Sequence, residues 1–210
     1  MTPGRSICAG AVCVLLAAPA AADEPQPRVR EATILQVVPD IGMDQGGVKT
    51  CGIRVVFRDS ESADPVGLYD LTVATAGKKG ETAATGIVRA TEIRGNSHKN
   101  ANPQPSDRLP PVDVAFAIPS LREPIRIHNP VVVAGTLLAP VDLSNAPQQA
   151  LEFTGPLLRR LANGEPVLVL WSASATDQRA FRVKTTPDPD LIDTVQNCLQ
   201  NTLSLDPLAR

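Results

Sequence analysis

Histidine and cysteine are the residues of this chain whose types and spacing bear most directly on chemistry. The sequence of 210 residues contains four cysteines and two histidines. A short segment presents two ligands to zinc through His-x-x-x-His or Cys-x-x-Cys spacing, and neither His98 nor His128 belongs to such a pair. Because a zinc site that combines a histidine with Asp107 or Asp113 has no support from spacing, we expect both histidines to be solvated or to face outward.

Nucleophile and carboxylate motifs are equally weak. The sequence lacks the Gly-x-Ser-x-Gly motif of serine hydrolases. Ser97 and His98 are neighbours in sequence, which does not by itself indicate a catalytic triad. Asp59, Glu61 and Asp64 are close enough in sequence to suggest calcium, but the glycine and terminal glutamate of a dedicated loop are missing, which favours a solvated loop. We therefore predict no catalytic residue, no metal ligand and no cofactor. A pair of catalytic carboxylates that meets only in the folded chain stays an open alternative.

The first 22 residues have the three parts of a secretory signal peptide. Residues 1–5 carry one positive charge, residues 7–18 (ICAGAVCVLLAA) form an apolar core, and small residues follow. We expect cleavage between Ala22 and Asp23, with Ala20 as the alternative site. The apolar core is too short to span a bilayer, which needs roughly 20 residues. A buried N-terminal helix is disfavoured because acidic residues and prolines end the apolar run abruptly.

Removal of the signal peptide leaves two of the four cysteines, Cys51 and Cys198. Cys8 and Cys13 lie inside the apolar core of the signal, and neither stands at a cleavage point, where lipid attachment requires a cysteine. In an oxidising compartment, an isolated pair is most simply a disulfide. The alternative is two buried free thiols.

Local patterns place both remaining sulfurs on apolar faces. Apolar and polar residues alternate from Cys51 to Arg58, so Cys51 lies on the inward face of a strand. Cys198 shares one helical face with Leu191 and Val195. We predict that the disulfide ties an early strand to the last helix. The disulfide would close a loop of about 150 residues. This constraint on the unfolded chain raises the free energy of unfolding by at most ~5 kcal/mol.

Composition and charge limit the partners and the number of domains. About 188 residues follow the signal peptide, which suits one domain. The formal net charge of −2 becomes −3 without Arg5, and a mildly acidic chain is poorly suited to nucleic-acid phosphates. We predict a flexible lead-in at 23–30 and a single domain over 31–210. A subdomain break, if there is one, falls at 95–111, which is rich in Asn, Pro and Ser.

The order of periodic segments predicts an α+β fold, mainly an antiparallel β-sheet or sandwich with about two helices in the C-terminal third and one disulfide. Predicted strands cover 31–38, 48–58, 66–76, 82–94, 112–118, 125–128, 131–138, 166–171 and 180–184. Predicted helices cover 146–161, which Gly155-Pro156 should kink or split, and the segment after Asp188-Pro189. Asn163-Gly164 suits the C-terminal cap of the first helix.

The segment LLRRLANGEPVLVLWSASATDQRAFRVKTTPDPDLIDTVQNCL resembles the end of small exported proteobacterial proteins of uncharacterised function. The shared features are a helix that ends in Asn163-Gly164, a hairpin, and a closing helix with Cys198. The segment is also loosely similar to invasion-associated locus B type periplasmic proteins. The resemblance covers about a quarter of the chain, and further cysteines of that second family are missing. It implies export and carries no functional residue over.

Two classes of function are compatible with these features. The first is a periplasmic or secreted binding or accessory module that contacts a protein or an envelope component. The second is an extracytoplasmic hydrolase that uses scattered carboxylates or serines. The first is favoured because no catalytic motif accompanies the expected disulfide and β-rich body. Trp171 ends an apolar strand and is expected in the core, with a ligand anchor as the alternative. Neither class predicts a membrane-spanning segment or nucleic-acid binding, and the oligomeric state is left open.

Overall fold

The computed structural model describes residues 27–43, 48–61, 67–78, 84–94, 107–119, 124–126, 131–133, 136–141 and 147–203. The predicted signal peptide and its cleavage point between Ala22 and Asp23 lie outside these ranges, as do His98, His128 and Asp64. None of the helices within the described ranges is long and apolar enough to cross a membrane.

The described residues form eleven strands and two helices. The strands are β1 (Val29–Met43), β2 (Val48–Asp59), β3 (Leu68–Lys78), β4 (Ala84–Ile93), β5 (Arg108–Leu109), β6 (Asp113–Ala117), β7 (Ile125–Arg126), β8 (Val131–Val133), β9 (Thr136–Val141), β10 (Val167–Ser172) and β11 (Gln178–Val183). The helices are α1 (Pro147–Ala162) and α2 (Pro189–Leu203). The α+β class, the dominance of strands and the two helices in the C-terminal third are confirmed.

All eleven strands belong to one curled sheet in the order β7-β6-β10-β11-β1-β2-β3-β4-β9-β8, with β5 beside β4. Every pair is antiparallel except β1 and β11, which run parallel where Val29 faces Ala180. The next residues of β1 pair with β2, with a register shift between Ile34 and Gln36. Such an irregularity bends a strand and increases its twist, so β1 can serve both halves of the sheet.

The apolar core lies on the inner face of the curled sheet. In β2 the alternation expected from the sequence holds, and Cys51, Ile53, Val55 and Phe57 are fully buried. The same face continues on β3, β6, β10 and β11, and both helices cover it. The large buried side chains of the core outside β2 are Leu71, Phe116, Leu137, Leu157, Leu158, Leu161, Trp171, Phe181 and Leu199. Burial of one such side chain stabilises the fold by about 1.5–3 kcal/mol.

An aromatic cluster joins the two halves of the sheet. The Tyr69 ring from β3 lies 5.2 Å from Phe57, 4.6 Å from Phe181 and 5.1 Å from Trp171, measured between ring centroids. Phe57 from β2 also meets Phe181 from β11 edge-on, at 5.5 Å. The buried Trp171 side chain is therefore part of the core, as the sequence pattern indicated.

Both helix caps read from the sequence are present. The Asp188 carboxylate accepts hydrogen bonds from the backbone N–H groups of Asp190 and Leu191, at 3.0 and 3.3 Å, and caps the start of α2. At the end of α1, Gly164 has a φ of 68°, and Glu165 N–H donates to the Arg160 carbonyl at 2.9 Å. This is the Schellman arrangement that glycine favours.

One local prediction is wrong in part. α1 runs through Pro156 as one helix, whereas the sequence suggested a kink or a split at Gly155-Pro156. Leu157, Leu158 and Leu161 follow Pro156 and are buried against the sheet. Their burial offsets the loss of one backbone hydrogen bond at the proline, and Gly155 next to it adds no side chain.

The disulfide between Cys51 and Cys198 is confirmed. It joins β2 to α2, with the two Cα atoms 5.7 Å apart and a sequence separation of 147 residues. The bond therefore fixes the last helix on the inner face of the sheet.

Replacing both cysteines, in Cys51→Ala/Cys198→Ala, should lower the free energy of unfolding by roughly 2–5 kcal/mol, because the unfolded chain loses a long-range constraint. Urea denaturation of both proteins, with and without reductant, measures the difference. Reductant should destabilise the wild type and leave the double variant unchanged. A wild type that is equally stable in reductant would contradict a stabilising disulfide.

Candidate functional site

Polar side chains occupy the outer face of β2, β3 and β4, opposite the core. Because side chains alternate along a strand, burial of Cys51, Ile53 and Val55 turns Arg54 outward. The strand register places Arg54 beside Thr72, and Thr72 beside Arg89. Three neighbouring strands thus contribute one row with two arginines and a threonine between them.

This row forms the floor of a cleft of about 360 Å³, here called the arginine cleft. Its lining combines three arginines, two aspartates, three threonines and one valine. The lining residues are Asp40, Arg54, Asp70, Thr72, Arg89, Thr91, Arg108, Val133 and Thr136. They come from β1, β2, β3, β4, β5, β8 and β9, so the cleft exists only when the sheet is assembled.

Arg54 and Asp70 form a bidentate ion pair. Arg54 Nε donates to Asp70 Oδ1 at 2.8 Å, and Arg54 Nη2 donates to Asp70 Oδ2 at 2.6 Å. The Asp70 side chain is 9% exposed and the Arg54 side chain 40% exposed. The hydrogen bond to Asp70 raises the pKa of Arg54 above its ordinary value, against the opposing effect of burial. The pair keeps the guanidinium charged and fixed in orientation.

The other two arginines of the cleft differ in their partners. Arg89 Nη2 forms an ion pair with Asp40, while the buried Arg89 Nε has no hydrogen-bond partner among the described residues. Arg108 Nη1 donates to the Thr136 hydroxyl at 3.2 Å. Among the described residues, no carboxylate forms an ion pair with Arg108.

The charged side chains of the arginine cleft are joined in ion pairs. Asp40 contacts Arg89, and Asp70 contacts Arg54. In the part of the lining that the structure describes, three arginines and two aspartates give one net positive charge. The described lining contains no histidine, cysteine or serine.

A second cavity, of about 480 Å³, lies on the outer face of the other half of the sheet. Leu168, Leu170, Ala115 and Ala180 supply much of its apolar lining, and Gln178 is one of its polar residues. Its charged residues are Asp113 and Arg179. Charged residues make up a smaller share of the lining in this groove than in the arginine cleft.

An ion-pair network borders the aromatic cluster. Arg179 Nη1 donates to the Tyr69 hydroxyl at 2.5 Å and lies 3.4 Å from Glu92. Arg179 also pairs with Asp177, and this hydrogen bond lowers the pKa of the Asp177 carboxyl. Arg94 Nε donates to Glu92 at 2.8 Å. The network compensates the charge of buried Glu92 and anchors β11 to β3 and β4.

Among the described residues that were singled out in the sequence, Asp113 and Trp171 line the second cavity, and none lines the arginine cleft. Cys51 and Cys198 are core residues joined by the disulfide. Asp59 pairs with Arg30 at 2.6 Å and accepts a hydrogen bond from Glu61 N–H, so its oxygens serve an ion pair and a turn. Within the described ranges, no three potential ligands cluster in a way that could hold a metal ion.

Sequence reasoning missed the arginine cleft. The available signal was a charged or hydroxyl residue at the outward position of successive strands, as with Arg54, Asp70 and Arg89. This pattern predicts a site only when the cross-strand register is known, because the register places Arg54, Thr72 and Arg89 side by side. Predicting the site also requires the positions of β5 and β9, which deliver Arg108 and Thr136.

Comparison of the chain with protein-family models, curated proteins and solved structures finds no match. The arginine cleft is therefore interpreted from its own geometry.

Asp70→Asn should destabilise the fold by roughly 1–3 kcal/mol, because it removes the charge that compensates the partly buried Arg54. Urea denaturation measures the change. Asp193→Asn, at an exposed position of α2, is the matched control and should stay within about 0.5 kcal/mol of the wild type. Equal effects of the two substitutions would show that the Arg54–Asp70 pair does not stabilise the sheet.

Tyr69 is the single tyrosine of the chain, so near-ultraviolet absorbance of tyrosinate reports it alone. Burial, followed by the nearby Glu92 charge, raises the pKa of Tyr69 above its ordinary value of 10.0. Since the folded state retains the phenol proton, this contribution to stability is present below the ordinary pKa and declines as the pH rises beyond it. We expect tyrosinate to form at higher pH in the folded protein than in urea. If tyrosinate formed at the same pH in the folded protein and in urea, burial of Tyr69 in the ion-pair network would be contradicted.

Proposed function

We propose that the mature protein is an exported, non-catalytic binding module of the cell envelope, periplasmic or secreted, that holds its ligand or partner in the arginine cleft. The observation that carries this proposal is the fixed arrangement of guanidinium groups in a concave site. Arg54 is oriented by Asp70, and Arg89 by Asp40. Groups that are oriented before binding lose little conformational entropy when a ligand arrives.

Binding is favoured over hydrolysis because the described lining of the cleft holds no group suited to activate a nucleophile. Both aspartates of the cleft are paired with arginines, and its hydroxyl groups in the described lining come from threonines. A hydrolase of the scattered-carboxylate type needs a carboxylate that is free to take a proton from the nucleophile or to give one to the leaving group. In the arginine cleft the two carboxylates instead serve ion pairs.

Export is supported by two sequence features and one structural feature. Residues 1–22 have the pattern of a signal peptide, and its removal leaves Cys51 and Cys198 as the remaining cysteines. These two cysteines form the disulfide. Structural disulfides persist mainly in oxidising compartments outside the cytoplasm.

Expression of the full chain in a Gram-negative host tests export. The soluble periplasmic fraction should contain a protein whose intact mass is that of a chain starting at Asp23, or at Ala21 if cleavage follows Ala20. Cytoplasmic protein that retains residues 1–22 and carries free thiols would contradict the proposal.

A ligand screen and an activity screen together test the binding function. Thermal unfolding of the mature protein, measured against a library of anionic, cationic and neutral compounds, should reveal ligands whose stabilising effect is lost in Arg89→Gln. The same protein should show no turnover of peptidoglycan, peptides or esters. Turnover that disappears in Asp40→Asn would overturn the non-catalytic assignment, and a screen without any ligand dependent on Arg89 would overturn the cleft as the binding site.

A further inference from the structure

Among the described lining residues, Arg108 is the arginine that has no carboxylate partner. It donates a hydrogen bond to a neutral hydroxyl, that of Thr136, whereas Arg54 and Arg89 each contact an aspartate. The Arg108 side chain enters from β5, which pairs with β4 where Arg108 faces Ile93. A guanidinium with only a neutral partner gains most from a charged acceptor, since hydrogen bonds between ions are the strongest in proteins.

Arg89 offers a second donor. Its Nη2 is paired with Asp40, and its buried Nε has no hydrogen-bond partner among the described residues. A buried donor that has lost water and gained no acceptor is unfavourable. A ligand that places an oxygen beside Arg89 therefore supplies the acceptor that the described part of the chain does not.

Charge and lining narrow the ligand to one chemical class. The described lining residues carry one net positive charge, which balances a monoanion, whereas a phosphate dianion would leave excess negative charge beside Asp40 and Asp70. Val133 adds an apolar wall, and its side chain is 57% exposed at the rim. A planar carboxylate matches the geometry of a guanidinium, and a short aliphatic body matches the wall.

We propose that the arginine cleft binds an organic carboxylate, with the anionic group at Arg108 and Arg89 and the aliphatic part against Val133. This inference rests on the proposed function and specifies the ligand class of the same site. The carboxylate can belong to a free acid or to the C-terminus of a peptide, and both present the same chemistry.

Calorimetric titration of the mature protein with valerate, valeramide and inorganic phosphate at low ionic strength tests the proposal. Valerate should bind, valeramide should not, and phosphate should bind more weakly than valerate. Arg108→Gln should weaken valerate binding by roughly tenfold or more, because a charged hydrogen bond is lost. Arg58→Gln is the matched control, since Arg58 is an exposed arginine on the same strand as Arg54 and outside the cleft lining.

The role of Val133 has its own measurement. Val133→Ser should weaken the binding of valerate more than the binding of acetate, because only valerate reaches the apolar wall. Equal effects on both acids would overturn the assignment of the aliphatic part.

A peptide probe identifies the source of the carboxylate. N-acetylated Ala-Ala-Val with a free carboxylate is compared with its amide and with valerate. Tighter binding of the peptide than of valerate assigns the site to a peptide C-terminus, and weaker binding assigns it to a free acid.

The outcomes separate this inference from the proposed function. Binding of valeramide as tight as valerate, phosphate tighter than valerate, or valerate affinity unchanged in Arg108→Gln would each overturn the carboxylate assignment while the binding module stands. Absence of binding by all three probes also overturns the carboxylate assignment. The binding module itself fails only if the broader screen finds no ligand that depends on the cleft.

Discussion

The pairing of β1 with both halves of the sheet is the constraint on which the rest of the structure depends. Its first residues run parallel to β11 and the following ones antiparallel to β2, so one strand joins two sets of hairpins into one curled sheet. The aromatic contacts of Tyr69 with Trp171 and Phe181 close the inner side of this junction. The disulfide then holds α2 against the same face, which removes much of the freedom of the unfolded chain.

The arginine cleft is a consequence of this arrangement. Because the apolar core occupies the inner face of the sheet, charged side chains can occupy the outward positions of the central strands, where they face away from the core. Because β1 continues next to β2, Asp40 reaches Arg89 across the sheet, and Asp70 holds Arg54. These two ion pairs orient the guanidinium groups, while Arg108 has no carboxylate partner among the described residues. The assembled sheet thus determines which charged side chains meet in the cleft.

Local patterns predicted those parts of the fold that local interactions decide. The alternation around Cys51 and the helical spacing of Cys198 gave the disulfide, and Asp188 and Gly164 gave the helix ends. The first strand was predicted to end at residue 38, yet β1 continues to Met43 because β2 supplies backbone partners for it, down to the pair of Met43 with Lys49. The arginine cleft was beyond prediction for the same reason: its residues lie far apart in sequence, and only the register brings them together.

The central claim is that the outer face of β1–β4 binds an organic acid. Amide chemical-shift perturbation in the mature, isotope-labelled protein tests it most directly, because it reports both cavities in one titration. Addition of valerate should shift amides near Arg54, Thr72, Arg89 and Arg108. Shifts confined to the other groove, around Ala115, Leu168 and Gln178, or shifts that an equal amount of valeramide reproduces, would contradict the account.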